Sequence, residues 1–170
     1  MPCACMLPPE IYPDASEWGP LLWTILHGIA ERVGSNVSSG FIPDERRGLE
    51  KLFKVLEKVI PCPSCKEHYE VYLREHPVDK ALKDLPYGAP LKEYVKTWFW
   101  ELHNWVNISL SRPELPYDAL PGLYKGVKLR QILKALDNPM RRAIHIRSGQ
   151  LMAYLTFTKD VLTLLSLYGI

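Results

Sequence analysis

The chain has 170 residues, 47% of them hydrophobic and 11% aromatic, and its charges are mixed to a formal net +2. That is one domain with enough apolar surface for its own core, and without the clustered basic surface that nucleic acid demands. The N-terminus lacks the basic and apolar regions of a secretory signal, and Lys159 and Asp160 cut the longest apolar run, so we expect a soluble protein without membrane or nucleic-acid partners.

Residues 1–15 are proline-rich and read as an extended arm carrying Cys3 and Cys5. A helix follows from about Ser16 to Val33. Asp14 and Glu17 suit its start, Leu22, Ile25, Leu26 and Ile29 form its apolar stripe, and Gly34 ends it. Ser35 to Gly40 is a polar loop. A second helix from about Pro43 to Ile60 repeats Leu49, Leu52, Phe53, Leu56 and Val59 at helical spacing until Pro61 stops it. The third begins at Cys62-Pro63-Ser64-Cys65 and runs to about Glu75. Pro63 suits the first helical position, where a missing N–H costs nothing.

His76 to Ala89 reads as a loop, broken by Pro86 and Gly88. The fourth helix, Pro90 to Ser111, has the strongest pattern, with Leu91, Val95, Trp98, Phe99, Leu102, Val106 and Leu110 in its stripe. Residues Glu114 to Pro121 read as irregular. A short helix near Val127 to Leu136 and a longer one near Gly149 to Leu167 complete the chain. The basic group Arg141, Arg142 and Arg147 reads as a solvated helix face. No stretch alternates with a strand period for long. The fold class is therefore all-α: a four-helix bundle with additional C-terminal helices. The expected segments are an arm at 1–15, the bundle at 16–124 and a C-terminal helical extension at 125–170.

Four cysteines in two close pairs do not resemble a secreted disulfide scaffold; in a reducing compartment such pairs are more often catalytic or metal-binding. Cys62 and Cys65 sit at a helix start, where backbone N–H groups and the dipole stabilise a thiolate. Three readings stay open: a redox pair, half of a metal site, or an inert pair. Zinc needs two more ligands, from His68 and His76 or from Cys3 and Cys5, and the alternative function is a zinc-stabilised helical interaction module. A thioredoxin-like fold needs a strand before the motif, where this chain has a helix. His27 and His103 each lie on a helix among apolar residues, as core histidines or haem ligands would. Their neighbours Trp23, Trp98, Asn104 and Asn107 suit a flat, polar, hydrogen-bonding ring such as a flavin better. Arg112 is either a phosphate contact or an ordinary helix-end cation.

Three blocks taken together carry a family resemblance. They are Trp18-Gly19-Pro20-x-x-Trp23-x-x-x-His27, then Pro61-Cys62-x-x-Cys65, then Trp98 with His103-Asn104-x-Val106-Asn107-x-x-Leu110-x-Arg112-Pro113. In order and spacing the chain resembles the Erv/ALR sulfhydryl oxidases from about Glu17 to Tyr117, most closely the viral members. The resemblance implies a bundle that holds FAD non-covalently, oxidises paired thiols and passes the electrons to oxygen, giving hydrogen peroxide. It implies Cys62 and Cys65 as the redox-active pair, with Cys62 the exposed interchange cysteine. It also implies Gly19, Trp23, His27, Cys65, Trp98, His103, Asn104, Val106, Asn107 and Arg112 as cofactor-binding residues, and no metal. Arg112 stands where the family usually has lysine. The staple disulfide of cellular members is missing, since Leu73 to Val95 contains no cysteine. Cys3 and Cys5 are the candidate shuttle pair. The implied partners are a dithiol protein or a thioredoxin-like relay protein, oxygen and a second copy of the chain. For a viral member the implied location is host cytoplasm or virion rather than the mitochondrial intermembrane space.

Overall fold

The computed structural model describes residues 14–35, 37–144 and 148–170. The described residues form eight α-helices and no strand: α1 (Ala15–Ala30), α2 (Ile42–Val59), α3 (Pro63–Glu75), α4 (Asp79–Asp84), α5 (Ala89–Ser109), α6 (Leu120–Tyr124), α7 (Leu129–Ile144) and α8 (Ser148–Leu167). The all-α expectation holds, and α1, α2, α3 and α5 are the four bundle helices. None of the described helices is long and apolar enough to cross a membrane.

Local chemistry sets the element boundaries. Asp14 caps α1 by accepting from the Ser16 N–H at 3.3 Å. Pro63 takes the first position of α3, behind Cys62 as N-cap. Gly34 and Gly88 both have positive φ, 67° and 99°, where the chain turns out of α1 and into α5. They also touch: a Cβ on Gly34 would lie 2.6 Å from the Gly88 carbonyl oxygen.

Three stretches are more helical than the sequence suggests. The segment 76–89 contains α4, whose Leu82 is fully buried; a six-residue helix between Pro77 and Pro86 is too short to show a period. Residues 114–121, read as irregular, hold a 3₁₀ turn at Tyr117–Ala119 and the start of α6. Helix α7 passes through Pro139 to Ile144 instead of ending at Leu136. Burial of Leu136, Met140, Ala143 and Ile144 on one face outweighs the hydrogen bond lost at the proline.

One core runs through the bundle and the C-terminal segment together. Helix α7 packs along α1 and α8 along α2, and the two pack on each other. Tyr154, Phe157, Val161 and Leu164 of α8 are buried as deeply as Leu49, Leu52 and Phe53 of α2. Glycines make this closeness possible. A Cβ on Gly48 of α2 would sit 2.7 Å from Cδ2 of Leu164, and one on Gly28 of α1 would overlap the Leu129 side chain. On the other side of α1, buried Glu31 pairs with Lys96 of α5 at 3.0 Å. This ion pair helps hold α1 and α5 beside each other.

Candidate functional site

The chain leaves α2 at Val59, runs extended through Ile60 and Pro61, and turns into α3 at the cysteine pair. Cys62 and Cys65 form a disulfide with Cα atoms 5.2 Å apart. Both are half-buried. Cys65 faces a cavity of about 300 Å³ between the first half of α1, the second half of α5 and the start of α3, at the small end of ligand-pocket sizes.

Helical spacing explains its walls. From α1 come Ala15, Trp18, Gly19, Leu22, Trp23 and Leu26, a face repeating at three and four residues. From α5 come His103, Val106, Asn107 and Leu110, with Leu102 beside them. Leu56, Ile60 and Tyr69 close the base, Tyr124 of α6 closes one end, and Arg112 stands at the exposed rim. The lining is mostly apolar and aromatic, with an imidazole, an amide, a guanidinium and the hydroxyls of Thr24, Tyr69 and Tyr124 among its polar groups.

The imidazole is held by two neighbouring rings. The Trp23 ring stacks on His103 at 4.1 Å with planes 7° apart. Nδ1 of His103 lies 3.0 Å from Nε2 of His27, and His27 in turn stacks on Tyr124 at 4.7 Å. Burial, and secondarily the neighbouring His103, pushes the His27 pKa down to about 3. Burial alone pushes that of His103 down to about 4. At neutral pH both rings are therefore uncharged and share one N–H, one ring donating and the other accepting.

Arg112 is placed by backbone chemistry. Helix α5 ends with the Arg112 N–H donating to the Asn107 carbonyl at 2.8 Å and the Ser111 N–H to that of Ile108 at 3.0 Å. This is a Schellman termination, with Ser111 at φ 54° in the position glycine prefers.

Among the residues expected to bind a cofactor, Gly19, Trp23, Cys65, His103, Val106, Asn107 and Arg112 are together on the cavity wall. His27 is not on the wall; it sits behind His103 and is 1% exposed. Trp98 and Asn104 are also off the wall. Trp98 is buried edge-on against Phe53 and Phe99 and donates from Nε1 to the His76 carbonyl at 2.9 Å. Asn104 uses both ends of its amide on Leu115, donating to its carbonyl at 3.0 Å and accepting from its N–H at 2.7 Å. The geometry of α5 is the reason: at 100° per residue, positions 98 and 104 point more than a quarter-turn away from His103. Trp18, Leu22 and Leu26 follow from the α1 spacing read as a cavity face rather than as core. Tyr124 had no such signal, because α6 comes after a segment without helical pattern.

Cys3 and Cys5 lie outside the described residues. No group of three or more His, Cys, Asp or Glu side chains among the described residues is arranged to hold a metal ion, and Cys62 and Cys65 are bonded to each other.

The fit of a planar cofactor is testable at Gly19. Glycine inside a helix costs about 1 kcal/mol relative to alanine. Nothing in the packing requires it here, because a Cβ at Gly19 would meet no atom within 4 Å. What a Cβ would enter is the cavity, so the site suits a group that lies against the α1 backbone.

Comparison with known proteins gives the same direction. The family model described as Erv1 / Alr family matches residues 20–125. The chain belongs to the Erv1/Alr family. A rice protein (Oryza sativa subsp. japonica), the FAD-linked sulfhydryl oxidase ERV1, is 30% identical over 105 residues, covering 59% of this chain and 45% of the rice protein. The Arabidopsis thaliana protein of the same name is 23% identical over 113 residues, covering 66% and 52%. The 347L protein of Invertebrate iridescent virus 6, which carries the same sulfhydryl oxidase designation, is 29% identical over 103 residues, covering 61% and 87%. The chain thus spans about half the length of the plant relatives. No solved structure matches it. Within this Erv1/Alr chain the matched stretch takes in Cys62, Cys65, His103 and Tyr124, while α7 and α8 lie beyond it.

Proposed function

We propose that the chain is an FAD-dependent sulfhydryl oxidase that makes disulfides in dithiol substrates, with oxygen as acceptor and hydrogen peroxide as product. One observation supports this above the others: a disulfide at a helix N-terminus has one of its cysteines, Cys65, on the wall of an aromatic-lined cavity. Trp23, His103 and Asn107 offer a stacking face and hydrogen-bonding edges, Gly19 leaves room against the backbone, and Arg112 suits a phosphate at the rim. Bound there, a flavin supplies a two-electron acceptor that oxygen can reoxidise.

The remaining work belongs to the protein. Cys62 is off the cavity wall and takes the substrate's thiolate; Cys65, on the wall, is where electrons leave the pair. His27 and His103, both uncharged, share one hydrogen bond and bring no buried charge to the cavity. The aliphatic lining excludes water. Cys3 and Cys5 belong to this reading as a relay between substrate and Cys62. So do a thioredoxin-like partner, a homodimer and a host-cytoplasm or virion setting.

The test is stoichiometric. Purified protein loaded with FAD should consume one oxygen per dithiothreitol oxidised and release peroxide. FAD-loaded protein that leaves both oxygen and thiols untouched would overturn the proposal.

A further inference from the structure

Cys62 fills an unusual role for a cysteine. It is the N-cap of α3, where a side-chain oxygen normally accepts a backbone N–H, and here the sulfur does so: the Cys65 N–H donates to Cys62 Sγ at 3.3 Å. A second donor is in place. Oγ of Ser64 lies 3.2 Å from the same sulfur, and because a disulfide sulfur carries no proton, the hydroxyl is the donor. Both contacts are to Cys62, and Cys65 lies on the cavity wall instead. The two halves of the disulfide therefore differ: one sulfur is dressed with hydrogen-bond donors, the other faces the cavity.

We propose that Ser64 is a catalytic residue of the thiol exchange, stabilising the thiolate that forms on Cys62. This rests on the thiol-oxidase reading above. A substrate thiolate attacks Cys62 Sγ; a new S–S bond forms, the Cys62–Cys65 bond breaks, and its electron pair leaves on Cys65. The substrate's second thiolate then attacks its own sulfur in the mixed disulfide, and the electron pair of that bond leaves on Cys62. The substrate has lost two electrons and its two thiol protons, and the cysteine pair has gained the two electrons. In the second step negative charge appears on Cys62 Sγ, where the Ser64 hydroxyl and the Cys65 N–H already point. A thiol with a lowered pKa is also a better leaving group, and a stabilised reduced form makes the disulfide more oxidising.

The step singles out Ser64 among the residues of the motif. Pro63 has no N–H to give. The Cys65 N–H belongs to the backbone and survives any side-chain change. Ser64 is exposed in the first turn of α3, so removal of its hydroxyl leaves the packing intact.

The experiment compares wild type, Ser64→Ala and Ser64→Thr as FAD-loaded proteins. Each is reduced with a phosphine under nitrogen, desalted, and alkylated with iodoacetamide across pH 5 to 9. Fragmentation mass spectrometry separates Cys62 from Cys65. In Ser64→Ala the Cys62 reactivity midpoint should move up, with its thiolate fraction at a fixed low pH falling about threefold to tenfold, as one charge-assisted hydrogen bond at a half-exposed site implies. The Cys65 midpoint should stay, and Ser64→Thr, which keeps the hydroxyl, should match wild type. Equilibration with glutathione above the Cys62 midpoint should show Ser64→Ala less oxidising by up to the same tenfold, about 30 mV. An unchanged Cys62 midpoint in Ser64→Ala overturns the proposal, as does an equal shift in Ser64→Thr. Oxygen uptake on the same samples reads the other premise: wild type that consumes none with dithiothreitol overturns the oxidase reading, while the Cys62 profile still decides the question of the hydroxyl.

Discussion

Acidification should destabilise this protein through His27 and His103 before most carboxylates protonate. Both rings are uncharged in the fold, with pKa values near 3 and 4 against an ordinary value of 6.5. A histidine whose folded pKa is depressed is protonated more readily in the unfolded chain. Its contribution is fully present above pH 6.5 and is lost as the pH falls from there toward the folded values. At pH 5 each ring favours the unfolded state by about 2 kcal/mol more than at pH 7, so the pair removes about 4 kcal/mol over that interval. That is a large share of the roughly 5–15 kcal/mol a domain has in total. Two assays check it. Ring carbon-bound proton shifts in an NMR titration should show two histidines that do not protonate down to pH 5. Urea midpoints at pH 7 and pH 5 should show the loss, and His27→Gln should lose about half as much between the two pH values as wild type. If either ring titrates near 6.5, or His27→Gln keeps the full wild-type pH dependence, the reasoning is wrong.

Other predictions address the core, the cavity and the helix end. Phe157→Ala should cost about 3–5 kcal/mol in denaturant unfolding because Phe157 is fully buried in α8, whereas Met152→Ala on the exposed face of that helix should cost less than about 0.5; equal costs would mean that α8 is not part of the core. Gly19→Ala should stabilise α1 by up to about 1 kcal/mol, since the new methyl meets no protein atom. The same substitution should weaken FAD retention on gel filtration, and undiminished retention would place the cofactor elsewhere. Ser111→Gly should raise stability by about 1 kcal/mol by relieving the left-handed backbone at φ 54°; a thermal midpoint that falls would show that the Ser111 side chain contributes more than its backbone strain costs.

The sequence shows what repeats with a helical period and conceals what depends on how helices meet. The stripes of α1, α2 and α5 were readable because each buries one face over four or more turns, and the start of α3 because Pro61, Cys62 and Pro63 mark it. The same period separates wall from core on α5, but only once the direction of the cavity is known. Trp98 and Asn104 share a motif with His103 and lie on different sides of one helix, with their polar groups bound to the His76 and Leu115 backbones. Tyr124, stacked on His27, comes from a five-residue helix that no periodicity could reveal. The position of α7 and α8 was hidden for another reason. Their apolar faces say that something is covered, and only the glycines at 28 and 48, without side chains of their own, mark where Leu129 and Leu164 approach.

The most direct test of the account is the visible spectrum of FAD-loaded protein titrated with dithiothreitol under nitrogen, for wild type and Cys65→Ser. The wild-type flavin band should bleach with added dithiol and return on admitting air. Cys65→Ser should bind FAD, show the same oxidised spectrum, and keep its colour under the same titration, because Cys65 is the half of the disulfide on the cavity wall. Bleaching of Cys65→Ser at the wild-type rate would contradict the account, since electrons would then reach the flavin without the Cys62–Cys65 pair.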